Sequence, residues 1–183
     1  IGPDLAAELT SLQSDVPADP ADKVIAVIEE ELGKPVGEIY AEFDGEAIAS
    51  ASIGQVHLAR LHDGTRVVVK VQHVDIQQKV NEDLEVMAGL ATLASHIPEL
   101  EVWKPQVLVE QLSKSLRKEL NFGRELQNLQ LFRREFKDQE DVKIPEPYAQ
   151  LSSSKVLTME LLKGVPVSDL RSGAQEIASG REE

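Results

Sequence analysis

Apolar residues Leu5, Ala6, Leu9 and Leu12 recur at helical spacing, so Asp4 to Gln13 is expected to form a helix with Asp4, behind Pro3, in its first turn. A polar, proline-punctuated stretch follows. Asp19-Pro20-Ala21-Asp22 then opens a second predicted helix, with Val24, Ile25, Val27, Ile28 and Leu32 on its apolar side and Gly33-Lys34-Pro35 as its stop. From Phe43 the texture changes. Small residues run from Ala47 to Ser52, and Val56, Leu58 and Leu61 then alternate with more polar neighbours up to His62-Asp63-Gly64-Thr65, which has the Asp-Gly signature of a tight hairpin turn. Val67-Val68-Val69-Lys70-Val71 resumes as a buried strand with one charge in it.

Helical periodicity returns from Asp75 to His96, where Ile76, Val80, Leu84, Met87, Leu90, Ala91 and Leu93 form a face, and Ile97-Pro98 ends it. A longer helix is predicted from Gln106 to Phe136, its apolar positions running from Val107 and Leu108 to Leu129 and Phe132, with Glu119 and Glu125 among them. Val142 to Tyr148 carries prolines and is expected to be an edge strand; Lys155 to Glu160 is a compact apolar strand. These elements predict an α+β fold in which an antiparallel sheet of about five strands is covered by the long helix. An N-terminal helical extension is expected at 1–42, the sheet-bearing lobe at 43–167 with a helical insert near 75–97, and a final segment at 168–183.

Composition narrows the function classes. With 42% apolar and 28% charged residues in 183, the chain has the make-up of a globular domain, and nothing in it approaches the ~18 uninterrupted apolar residues of a spanning helix. A formal charge of -13 repels polyanions, so nucleic acid is not an expected partner. The absence of cysteine fits a reducing, cytoplasmic setting, and the four histidines (His57, His62, His73, His96) form no metal-ligand pair, so no metal site is expected.

The charge in the apolar strand carries the chemistry. An unpaired ammonium costs several kcal/mol to desolvate, so Lys70 needs an anionic partner. A kinase-type N-terminal lobe meets that need with a strand lysine that contacts nucleotide phosphates and pairs with a glutamate on the following helix. Glu119 and Glu125 are candidates, but their spacing puts them on different sides of one ideal helix, and only a kink, for which Gly123 is a candidate, would bring both to one place. Taken singly, each feature has a plainer reading. The small-residue run is a packing contact, the lysine snorkels to water, and the glutamates are solvated helix charges.

Four runs taken together, A-S-A-S-I-G-Q-V-H (Ala49 to His57), V-V-V-K-V-Q (Val67 to Gln72), K-E-L-N-F-G-R-E-L-Q-N (Lys118 to Asn128) and V-L-T-M-E-L-L-K-G (Val156 to Gly164), resemble the UbiB/ADCK atypical kinases. The resemblance implies that Lys70 meets the phosphates and that Glu125 pairs with it. It makes Glu119 the first acid of a Glu-x-Asp motif whose second position is Asn121 here, one carboxylate fewer than the family pattern. It makes Ala49-Ser50-Ala51-Ser52 an alanine-rich turn in place of the glycine-rich phosphate loop, stiffer because alanine lacks glycine's access to positive φ. Met159 falls at the gatekeeper position, and Glu160-Leu161-Leu162 at the hinge whose backbone bonds the adenine edge.

For the parent protein the resemblance implies an ATPase or kinase-like activity using ATP with Mg2+, association with membrane lipid or a quinone precursor, and a role in isoprenoid quinone (ubiquinone) biosynthesis. The sequence has no His-Arg-Asp, Asp-Phe-Gly or Lys-x-Gly-Gln run, so the C-terminal lobe and its magnesium ligands are expected to be absent, leaving a fragment that is catalytically inactive with at best millimolar nucleotide affinity. Other readings are a helical interaction module with a vestigial cleft, dimerising through exposed apolar faces, and the lobe of an aminoglycoside- or choline-type kinase.

Overall fold

The alternating valines of the central strand decide the architecture. In a computed structural model describing residues 16–164, strands β1 (Glu42–Ser50), β2 (Gly54–Arg60), β3 (Arg66–Gln72) and β4 (Val156–Glu160) form one antiparallel sheet in that order. Val67, Val69 and Val71 are fully buried on one face, while Val68 and Lys70 stand half-buried on the other. The predicted Asp4 to Gln13 helix and the 168–183 segment lie outside the described residues.

The valine face is covered by α1 (Ala21–Leu32), which turns Val24 and Ile28 into the core and stops at Gly33, whose φ of 70° only glycine adopts readily. After the short α2 (Val36–Ile39), Tyr40 completes this core, its hydroxyl 2.7 Å from the Thr158 hydroxyl; burial pushes the phenol up to about 12. The β2–β3 turn is the predicted one. Gly64 has φ 87° and the Thr65 N–H donates to the Asp63 carboxylate at 2.8 Å.

His57 is fully buried on the same face, stacked on Phe43 at 5.1 Å. Its Nε2 lies 2.8 Å from the Gln55 amide nitrogen and its Nδ1 2.8 Å from the Asp44 carbonyl, the pattern of a neutral ring protonated on Nδ1. Burial drives its pKa below the usual 6.5, against the pull of the Asp44 carbonyl and carboxylate. The unfolded chain therefore takes up this proton more readily than the folded one, and stability present above the ordinary histidine value is lost as pH falls through it. We predict a denaturant midpoint that declines from about pH 7 to about pH 5, before most carboxylates titrate, and His57→Gln should flatten that slope.

Three predictions need correction. The edge strand at Val142 to Tyr148 is not a strand: Pro147 forms a single bridge to Met159, because prolines at 145 and 147 remove the N–H groups a ladder requires, and the four strands among the described residues come close to the number expected. The single helix from Gln106 to Phe136 is two, α5 (Pro105–Glu119) and α6 (Phe122–Glu135), with α3 (Ile76–Ala94) and the short α4 (Pro98–Glu101) before them. The break falls at Leu120-Asn121 and not at Gly123. Asn121 is the N-cap of α6, its side-chain oxygen accepting from the Gly123 N–H at 2.9 Å. The face predicted on α3 is also largely open: Leu84 and Ala91 are buried, whereas Leu90 and Leu93 remain exposed as α3 and α5 pack as a hairpin beside the sheet.

Candidate nucleotide site

The face of the sheet opposite α1 receives α6. Its first residue, Phe122, is anchored by an N–H donating to the Ser154 carbonyl at 2.9 Å and is almost completely buried. Gln72, at the end of β3, reinforces the anchor: its buried amide donates to the Leu120 carbonyl and, at 3.2 Å, to the Ser154 carbonyl. The helix that carries Glu125 is thus tied to the strand that carries Lys70 only two residues from that lysine.

That anchoring sets the ion pair. One helical turn from Phe122, Glu125 accepts a hydrogen bond from the Lys70 ammonium at 2.7 Å, while the ammonium lies 4.6 Å from the centre of the Phe122 ring. The lysine and glutamate side chains are 29% and 39% exposed, so solvent screens the pair and it stabilises the fold by on the order of 1 kcal/mol. A screened, partly exposed pair is open to exchange: an incoming anion can compete for the ammonium.

The remaining candidates lie around this pair in part. Ala49 and Ser50 are the last residues of β1, paired with Val56 and Gln55, and Ala51-Ser52 makes the turn into β2, the Ala51 N–H donating to the Gly54 carbonyl at 3.0 Å. Val56 is in turn the cross-strand partner of Lys70, and Val68 that of Met159. Half-buried Val56, Val68 and Met159 are therefore apolar neighbours of the ammonium on one face. Glu160 ends β4, its N–H donating to the Glu146 carbonyl at 2.8 Å and its carboxylate held below the usual range by Lys143, 3.0 Å away. Beyond it, the Leu162 N–H has no backbone partner among the described residues.

Glu119 does not join the site. It ends α5, exposed, and forms no ion pair among the described residues. Asn121, where the resemblance expects an acid, is occupied in capping α6, a task an aspartate would also perform. Among the described residues no three His, Asp or Glu side chains converge on one point. Sequence reasoning missed Phe122 and Gln72. The signal for the first was its place three residues before Glu125, on the same helical face; for the second it was a polar residue ending an apolar strand.

A small antiparallel sheet, a strand lysine paired to a glutamate on a following helix, and a short small-residue turn define the N-terminal lobe of a kinase-like fold. Residues 11–181 match the ABC1 atypical kinase-like domain, and the chain belongs to that family, the UbiB/ADCK group. A probable protein kinase UbiB of Pseudomonas putida is 39% identical over 95% of this chain and 32% of its own length; one from Xylella fastidiosa is 37% identical over 91% and 30%. The solved structure of the Rv3197–erythromycin complex from Mycobacterium tuberculosis superposes with a TM-score of 0.74 at 31% identity, covering 92% of this chain and 41% of that one. The chain spans about a third of the length of these curated relatives.

Proposed function

We propose that the chain is the ATP-binding lobe of an atypical kinase or ATPase, with phosphates meeting Lys70 beneath the Ala49–Ser52 turn and the adenine edge meeting the backbone of Glu160 and Leu162 beside Met159. The observation that carries this reading is the exchangeable Lys70–Glu125 pair on an otherwise apolar, half-open face. The phosphates displace or share the carboxylate, and Glu125 keeps the ammonium in place between encounters. Magnesium accompanies ATP in the longer protein. Without a His-Arg-Asp or Asp-Phe-Gly run, this chain alone binds nucleotide weakly and transfers nothing.

The test is a thermal-shift titration with millimolar ATP on the chain and on Val68→Phe, which fills the cleft face beside Met159 without entering the valine core. ATP is expected to raise the melting temperature of the natural chain and not of the variant. An equal rise in both sinks the reading. For the longer protein we extend the proposal to isoprenoid quinone biosynthesis, with a lipid or quinone precursor as partner, on the strength of the relatives' names and the resemblance; unchanged quinone content after gene deletion would remove that part.

A second reading, an interaction module, is favoured by one observation: Leu90, Leu93, Val102, Trp103 and Leu108 are all more than half exposed on α3, α5 and their connection. Among the described residues no helix is long and apolar enough to cross a membrane. Concentration-dependent dimerisation without any response to ATP would favour this reading over the first.

A further inference from the structure

We propose that His73 and Asp19 form a clamp that fixes the alanine-serine turn with the Ser52 N–H aimed outward for a phosphate oxygen, an inference that rests on the ATP reading above. His73 directly follows β3 and its side chain is 9% exposed. Its Nδ1 is 2.8 Å from the Asp19 carboxylate and its Nε2 2.8 Å from the Ala51 carbonyl, with the Ser50 hydroxyl 3.5 Å away. The backbone agrees with the side chain: the His73 N–H donates to the Ile53 carbonyl at 3.0 Å. One residue therefore holds both ends of the turn, the Ala51 end through its ring and the Ile53 end through its backbone.

Asp19 is itself held from three sides. Its carboxylate also accepts from the Val74 N–H at 3.0 Å, its own N–H donates to the Gln55 side chain at 2.6 Å, and the Gln55 amide lies 3.3 Å from its carbonyl. Burial works to raise this carboxyl, but the bonds from His73 and Val74 and the charges of His73 and Lys23 outweigh it and leave it below the ordinary value, hence ionised. The segment before α1 is in this way joined to the strands on both sides of the turn.

Hydrogen-bond arithmetic gives the clamp its chemistry. A carbonyl and an ionised carboxylate both only accept, so a ring bonded to both must donate from both nitrogens; a neutral imidazole has one N–H and keeps one of the two bonds. The geometry downstream follows from the planar trans peptide, in which C=O and N–H point in opposite directions: with the Ala51 carbonyl turned to His73, the Ser52 N–H turns away from it, and Ser52 is exposed. Alanine at 49 and 51 leaves the turn fewer alternative conformations than glycine would, so one anchored carbonyl is enough to set it. The charged groups around the ring are Asp19 just before α1, Lys23 in its first turn, Glu30 further along it, Asp75 on the connection, and Lys155, itself paired with Glu31.

The experiment measures ATP dissociation constants at one fixed pH for the natural chain, His73→Arg, His73→Gln and Asp19→Asn, each first shown to melt cooperatively. His73→Arg can donate to both acceptors and is expected to keep the natural affinity. His73→Gln and Asp19→Asn, which cannot make the same pair of bonds, are expected to bind about tenfold more weakly. Equal binding by all four proteins overturns the clamp and leaves the ATP reading standing. Failure of every protein to bind ATP overturns both.

Discussion

Lys70→Ala is expected to abolish the ATP-dependent rise in melting temperature while leaving a folded protein. The ammonium stands on the sheet face opposite the valine core, and a charge-assisted hydrogen bond of its kind contributes about 1.5–3 kcal/mol, so affinity should fall by about 10- to 100-fold. The fold loses much less. The pair is screened, and the glutamate left behind is 39% exposed and keeps its contact with water. Lys70→Arg should not rescue binding fully, because a planar fork cannot occupy the same point above the Phe122 ring and beside Glu125. Titration calorimetry of ATP, beside urea unfolding of the same proteins, separates loss of ligand from loss of structure. Undiminished binding by Lys70→Ala would place the nucleotide elsewhere.

The largest stability effect should come from the smallest residue near the site. A Cβ on Gly54 would fall inside contact distance of the Val71 carbonyl oxygen and 3.1 Å from the Gln72 Cα, both backbone atoms of the strand that carries Lys70. Neither can move aside like the tip of a side chain. Gly54→Ala must therefore open the first rung of the β2–β3 ladder, where Gly54 faces Gln72, and the expected cost is about 3 kcal/mol. A urea midpoint within error of the natural chain's would contradict this geometry. The same rung closes the alanine-serine turn, so any variant that survives should also bind ATP poorly.

Sequence reasoning reached the sheet and α1 through local rules: Gly33 and the His62–Thr65 turn announce their backbone geometry. A lysine among valines demands a carboxylate, but that demand leaves Glu119 and Glu125 both open, and the family resemblance is what singles out Glu125, 55 residues away. What stayed hidden has equally definite causes. Apolar periodicity runs unbroken through Leu116, Leu120 and Leu126, so it conceals the two-residue gap at Leu120-Asn121; attention to Asn as a cap would have revealed it. Gly123 drew the expected kink because glycine permits bends, yet here it only donates to that cap. Periodicity on α3 promised burial that a hairpin standing beside the sheet does not deliver. Bonds such as Gln72 to Leu120 and His73 to Asp19 depend on packing that no spacing in the chain encodes.

Gln72 has one more consequence. It reaches forward to the Leu120 carbonyl and receives the Gln77 amide on its own oxygen at 3.0 Å, so the outgoing and returning ends of the long helical excursion meet at a single side chain. The excursion is therefore shut at its neck, and whatever lies beyond the neck exerts little leverage on Lys70 and Glu125. Shortening that protruding arm beyond Gln77 and before Leu120 is therefore expected to leave the socket at Lys70 and Glu125 standing.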